Sequence, residues 1–289
     1  MKLSAEQIQS YHDDGYILLE RVIDQSTLDR MRATISQFLE ASRDVSESDP
    51  IYDLDKSHTP NQPRVRRLKD PHLRDPVFSD LAKSDAILDP VAQLLGGTVR
   101  FDHSKLNFKH PGAAAEIQWH QDWAFYPYTN DDLLAVGVMI EDCTAENGPL
   151  LVIPGSHKGP VYDHHQNDVF AGGVPEKSVS HLLDSAVDVT GPAGSISIHH
   201  VRTLHASRNN LGQTLRPLLL FSYAAVDSFP IFESYDLDEF DSRILRGEPV
   251  REGRMEAVPF RLHLPRRQGN DSIYDDQESM AKQKQTSVS

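Results

Sequence analysis

Cysteine is nearly absent: Cys143 is alone among 289 residues. A single cysteine excludes an intramolecular disulfide and any metal site built from several thiolates. It fits a reducing, cytoplasmic compartment. Long apolar runs are missing as well. The longest, Leu133 to Ile140, has eight residues and includes a glycine, whereas a bilayer span needs roughly 20. The opening MKLSAEQIQSYHDDGY lacks the apolar centre of a secretory signal. Positive charge is in deficit, with 29 Lys+Arg against 43 Asp+Glu and a net charge of −14. Non-specific binding to nucleic acid or anionic membrane rests on positive charge, so neither is expected as a partner.

What is present suits a folded domain. Hydrophobic residues make up 38% and charged residues 25%, enough for a core under a polar surface. Residues 4–14 and 26–42 read as helices, capped by Ser4 and by Asp24 or Ser26, with Leu28, Met31, Ile35 and Leu39 at helical spacing. YILLERVI between them is a short strand candidate. Residues 43–63 are polar and rich in Pro, Asp and Ser, which predicts a mobile loop. The basic run Arg64–Lys69 reads first as a solvated face. Residues 75–95 return to a helical pattern.

From about Thr98 the period changes. VRFDH, KLNFKHP, EIQWH, LLAVGVMI, LLVIPG, SISIHH and RPLLLFSYAAV are short apolar or alternating runs punctuated by Gly, Pro, Asn or Asp. Such a series predicts a mainly β fold, a sandwich or barrel with N-terminal and flanking helices. The expected organisation is a single domain over 1–267, with a helical part to about 95 and a barrel over about 96–230. A His/Asp/Gly-rich insertion over 157–190 lies near one barrel mouth. The polar tail 268–289 has little to bury and is expected to be disordered.

Histidine is the anomaly, with fourteen in all and several between Phe101 and His205. In Trp119-His120-Gln121-Asp122, at the end of a strand, residues i and i+2 point to one side. His120 and Asp122 can thus offer an imidazole nitrogen and a carboxylate oxygen to one cation. A third ligand has to come from elsewhere, and His199, His200 and His205 are the candidates that spacing leaves open. Eleven residues after His205 stands Arg216, entering an apolar strand. A guanidinium there suits bidentate pairing with the carboxylate of a bound organic acid. Two imidazoles and one carboxylate leave coordination positions open and suit non-haem Fe(II). Zinc with similar ligands would activate water but leaves Arg216 without a task.

At these residues the sequence resembles a known family. His120-x-Asp122, then Glu146-Asn147-Gly148-Pro149-Leu150, Ile153-Pro154-Gly155-Ser156-His157, and His205-x-Ser207…Asn210…Arg216 are similar to the phytanoyl-CoA dioxygenase family. The resemblance implies a double-stranded β-helix, or jelly-roll (cupin-like) barrel, and an Fe(II)- and 2-oxoglutarate-dependent dioxygenase. Such an enzyme consumes O2 and hydroxylates a C–H bond of a small-molecule metabolite, yielding succinate and CO2. The resemblance implies His120, Asp122 and His205 as iron ligands, with Arg216 and Ser207 holding the distal carboxylate of 2-oxoglutarate. Asn107 matches a polar cosubstrate contact in the related ectoine hydroxylases. Lys105 falls at a contact position, Met139 where some relatives carry tryptophan, and Arg66 aligns with a lysine of others.

Trp123, Phe125 and Tyr126 follow the iron motif and could form an aromatic wall for substrate. His200 reads as a hydrogen-bonded support, His199 as structural and His157 as turn-fixing. His164 and His165 read as solvated loop residues, and Cys143 as a small buried one. His103 and His110 have no partner that the sequence names. Two rival functions remain open: a non-catalytic metal-binding jelly-roll, and a zinc-dependent hydrolase or isomerase on a cupin-like barrel.

Overall fold

Alternation within the strands decides which side chains meet the helices and which meet the site. The computed structural model describes residues 2–113, 116–232, 235–266 and 272–278. Ser4 caps α1 (Ala5–Asp14) through a capping box with Gln7. β1 (Tyr16–Leu19) leads to α2 (Gln25–Ala41), capped by Asp24. β2 (Tyr52–Leu54) and β3 (Val65–Lys69) precede α3 (Pro76–Ala82) and α4 (Asp85–Leu94). Then come β4 (Val99–Lys109), β5 (Ile117–His120), β6 (Leu133–Met139) and β7 (Leu150–Val152). A small hairpin, β8 (His165–Gln166) and β9 (Val169–Phe170), opens the insertion, and β10 (Val187–Val189) closes it. β11 (Ile196–His200), β12 (His205–Ser207), β13 (Arg216–Ala224) and β14 (Ile244–Arg246) follow.

Two antiparallel sheets face each other. The larger runs β1-β11-β6-β13-β4-β3-β2 with β14 also on β4, and the smaller runs β10-β7-β12-β5. This is the expected jelly-roll. On β13, Leu219, Phe221 and Tyr223 point into the core beneath the helices, while Arg216, Leu218 and Leu220 point into the space between the sheets. Met31, Phe78, Ile87, Leu88 and Val91 pack on that outer face with almost no exposure. Each such burial contributes roughly 1.5–3 kcal/mol, so the back of the larger sheet is firmly held. The chain turns into β1 at Gly15, whose φ is +79° and where a Cβ would lie 2.4 Å from His157 Nδ1. A side chain there would displace the loop carrying His157.

Three expectations are corrected. The segment 43–63 is not a mobile loop throughout, because β2 buries Tyr52, Asp53 and Leu54. The basic run is not a solvated face: β3 pairs with both β2 and β4, burying Val65 and Leu68. The tail from Gln268 is not uniformly disordered either. Residues 273–278 are helical, and Ser272, Tyr274, Asp276 and Gln277 are buried. Its polarity is what docks it. Gln277 donates to Gly172 O at 2.7 Å and accepts from Gln118 N at 2.9 Å. Asp276 pairs with Arg266 at 2.7 Å, and Glu278 with Arg66 at 2.7 Å. The other tail residues lie outside the described ones.

Candidate active site

β5 and β12 are neighbours in the smaller sheet, and their register sets His120 opposite His205. The three-residue turn that begins at Asp122 carries its carboxylate back toward both rings. His120 Nε2 and His205 Nε2 each lie 3.9 Å from Asp122 Oδ1. These three buried groups are the one His/Cys/Asp/Glu cluster of metal-binding geometry among the described residues, with ligand atoms within 4.8 Å of one another. Both imidazoles are held in one tautomer. His120 Nδ1 donates to Gln118 O at 2.8 Å and His205 Nδ1 to Thr203 O at 2.9 Å. Each Nε2 lone pair is therefore left for a cation.

The electrostatics agree. Burial lowers the pKa of both histidines, to about 4 for His205 and well below the ordinary value for His120. They are neutral ligands at physiological pH. Burial alone would raise Asp122, but Lys105 and the neighbouring His205 and His199 outweigh it and hold the carboxyl well below its usual range. His164 is also lowered to about 4, chiefly by burial. Protonation of such groups is deferred in the folded state, while the unfolded chain protonates near 6.5. The unfolded state then binds more protons between about pH 6.5 and pH 4, so metal-free protein should lose stability as pH falls through that window. Denaturant melts at several pH values would check this; a stability that rises on acidification across the window would contradict it.

A cavity of about 330 Å³ extends from this cluster between the sheets. Arg216 lies at one end, its Nη2 donating to Gly148 O at 2.5 Å. Arg216 Nε and Ser207 Oγ are buried without partners, and both residues line the cavity. Two buried, unsatisfied polar groups cost free energy unless a partner engages them. A carboxylate supplies the missing acceptors. The donor set at the other end fits Fe(II), and a 2-oxo acid between the two ends would answer both sets of open groups.

Asn107 and Lys105 line the cavity from β4, one strand period apart. Phe125 and Tyr126 line it too, and the Phe125 ring stands edge-on to His120 at 5.8 Å. Three assigned residues are elsewhere. Met139 packs with Cys143, Val152, Val189 and Leu218 in an apolar cluster, behind the lining. Arg66 is on the opposite side of β3 from the cavity and is bound by Asp53 at 2.7 Å and by Glu278. Trp123 is core, packed with Tyr128, Leu133 and Val201 and stacked on Phe260.

Several site residues were not assigned from sequence. His199 does point opposite to His200, but that direction is the cavity, where its Nε2 lies 3.5 Å from Asp122. His164 is not a solvated loop residue: it is buried, donates through Nδ1 to Tyr162 O and accepts Gln121 N at 2.9 Å. It thereby fixes the backbone between the two ligands of the His120-x-Asp122 pair. His165 is buried as well, held by Asp163. Lys109 and Arg67 line the cavity, and the i+2 alternation of KLNFK already carried the first of these. Tyr274, from the tail, had no sequence signal. Asn147, Ser156 and Asn210 hydrogen-bond to nearby backbone and brace turns around the site.

The comparisons with known proteins converge on one family. A family model described as phytanoyl-CoA dioxygenase (PhyH) matches residues 11–218. The chain is 33% identical over 280 residues to the probable alpha-ketoglutarate-dependent hypophosphite dioxygenase of Stutzerimonas stutzeri, covering 96% of this chain and 98% of that protein. It is 30% identical over 240 residues to L-proline trans-4-hydroxylase of Streptomyces griseoviridis, covering 76% and 86%. Among solved structures, EctD from S. alaskensis with bound Fe matches with a TM-score of 0.69 and 25% identity, over 88% of this chain and 87% of that one. The same protein is known with 2-oxoglutarate and 5-hydroxyectoine. The chain belongs to the phytanoyl-CoA dioxygenase family and is a 2-oxoglutarate-dependent non-haem iron dioxygenase.

Proposed function

We propose that this chain hydroxylates a small-molecule substrate, with His120, Asp122 and His205 holding Fe(II) and Arg216 and Ser207 holding the distal carboxylate of 2-oxoglutarate. The reaction balances as 2-oxoglutarate, O2 and R–H giving succinate, CO2 and R–OH. Bound iron supplies O2 activation. The chain's own part is to orient the cosubstrate, present the R–H bond and keep water out. The observation that carries this is the pairing of two open sites in one cavity: a three-ligand cluster at one end and the unpartnered Arg216 Nε and Ser207 Oγ at the other. Asn107 extends the polar wall between them.

The relatives support a small substrate, since the hypophosphite, proline and ectoine enzymes are named for compact molecules. The cavity supports it too, because about 330 Å³ is at the lower end of ligand pockets. No described helix is long and apolar enough to cross a membrane, and the buried thiol of Cys143 suits a reducing, cytoplasmic setting. A zinc hydrolase would leave the Arg216 end without a ligand. Succinate release from 2-oxoglutarate, measured with Fe(II) or Zn(II) and with or without O2, tests the assignment. Formation that requires both Fe(II) and O2 is expected; succinate that forms with Zn(II) or without O2 would contradict it.

A further inference from the structure

The cosubstrate accounts for the charge at only one end of the cavity. Arg216 and Lys109 face each other across the β13–β4 pair at that end. Lys105 is four residues along β4 from Lys109, roughly 13 Å at about 3.3 Å per residue. It therefore belongs to the metal end, where its charge acts on Asp122. In register, Lys105 sits directly opposite Lys69 of β3, and both line the cavity. Opposed residues of an antiparallel pair hold their Cβ atoms about 4.5–5.5 Å apart, and like charges there are destabilising. Among the described residues neither ammonium has a hydrogen bond or ion pair.

Arg67 adds a third cation, resting on Asn107 Oδ1 at 2.9 Å and over the Tyr274 ring at 5.2 Å. The acids do not balance this group. The cavity lining has two, Asp70 and Asp122, and Asp122 is a metal ligand. Nearby Asp102 is engaged by His103 at 2.6 Å and by Tyr128 at 2.5 Å. Such a cluster persists at a cost that an anion would remove. The anion has to be compact, because a cavity of about 330 Å³ also has to admit the cosubstrate, and Ile273 and Tyr274 of the tail add to its lining.

Resting on the function proposed above, we infer that the substrate is a compact oxyanion, a phosphorus oxyanion or a short carboxylate, bound at the metal end by Lys105 and Lys69, with Arg67 flanking them from the middle of the cavity. The opposed lysines set the preference for negative charge, and Arg216 stays with the cosubstrate.

The test uses the anaerobic Fe(II)–2-oxoglutarate complex of full-length wild type, Lys105→Met and Lys69→Met. Each is titrated with hypophosphite, methylphosphonate, acetate, L-proline and ectoine while the visible charge-transfer band is followed. In wild type an oxyanion should shift the band saturably, and whether phosphorus or carbon oxyanions do so identifies the source. Each lysine variant should weaken that shift by about tenfold or more while binding 2-oxoglutarate within about threefold of wild type. Retained cosubstrate binding also shows that the variants are folded. A panel in which no oxyanion shifts the band, or in which only the zwitterions do, would overturn the inference. So would a Lys105→Met protein whose 2-oxoglutarate affinity falls as far as its anion affinity. Absence of any 2-oxoglutarate band in wild type would instead sink the proposed function, and this inference with it.

Discussion

Arg216→Ala should weaken 2-oxoglutarate binding by a large factor while leaving metal binding intact. Removing one partner of a buried, charge-assisted pair costs about 2–5 kcal/mol, or roughly 30- to 5,000-fold at 1.4 kcal/mol per decade. The neighbour modulates the outcome. Lys109, opposite Arg216 in register, is held down to about 6 by burial and then by the Arg216 charge. Once that charge is gone, the lysine gains proton affinity and can recover part of the attraction to a carboxylate. The double variant Arg216→Ala/Lys109→Ala should therefore bind 2-oxoglutarate more weakly than Arg216→Ala alone. Arg216→Lys should be intermediate, since an ammonium keeps the charge but loses the bidentate geometry. Anaerobic titration of the iron-loaded variants gives all the affinities. Unchanged 2-oxoglutarate binding in Arg216→Ala would remove the distal anchor from the account.

Asp122→Ala should abolish stable iron loading. Loss of an outer partner of a metal ligand commonly costs 10- to 100-fold in affinity, and loss of the only anionic ligand should cost more. Two neutral imidazoles, His120 and His205, would remain around a divalent cation in a low-dielectric site. The metal-free variant should still fold, because Asp122 carries no backbone cap and its removal takes a charge out of a buried position. Iron content after anaerobic loading and desalting, with circular dichroism alongside, separates the two effects. A folded Asp122→Ala protein that retains a full complement of iron would mean that the carboxylate is not a ligand.

Much of this site was legible because its chemistry is periodic. The strand repeat read into His120-x-Asp122 puts both groups on one side, although β5 ends at His120 and Asp122 opens the turn that follows; Arg216 begins a strand whose inward positions follow the same repeat. The helices announced themselves through caps and spacing at Ser4 and Asp24. The failures have a common physical source. Whether a polar residue is buried depends on partners far along the chain, and local pattern does not encode them. Arg66 is fixed by Asp53 across a hairpin and by Glu278 more than two hundred residues away. The tail docks through Gln277 and Asp276, polar groups that local composition assigns to solvent. His164 reads as a loop histidine until its bond to the Gln121 amide is seen. Met139 is placed by the family pattern and Trp123 by its position just after the iron motif, but Met139 packs in an apolar cluster and Trp123 in the core, stacked on Phe260 and lying under the Arg202 guanidinium.

The most direct test of the central claim is the visible spectrum of metal-free protein on adding Fe(II) and then 2-oxoglutarate without oxygen. A metal-to-cosubstrate charge-transfer band should appear in wild type, be absent in Asp122→Ala, and need far more 2-oxoglutarate in Arg216→Ala. Stoichiometric iron with no band at any 2-oxoglutarate concentration would contradict the claim that the His120, Asp122, His205 and Arg216 cavity holds metal and cosubstrate together.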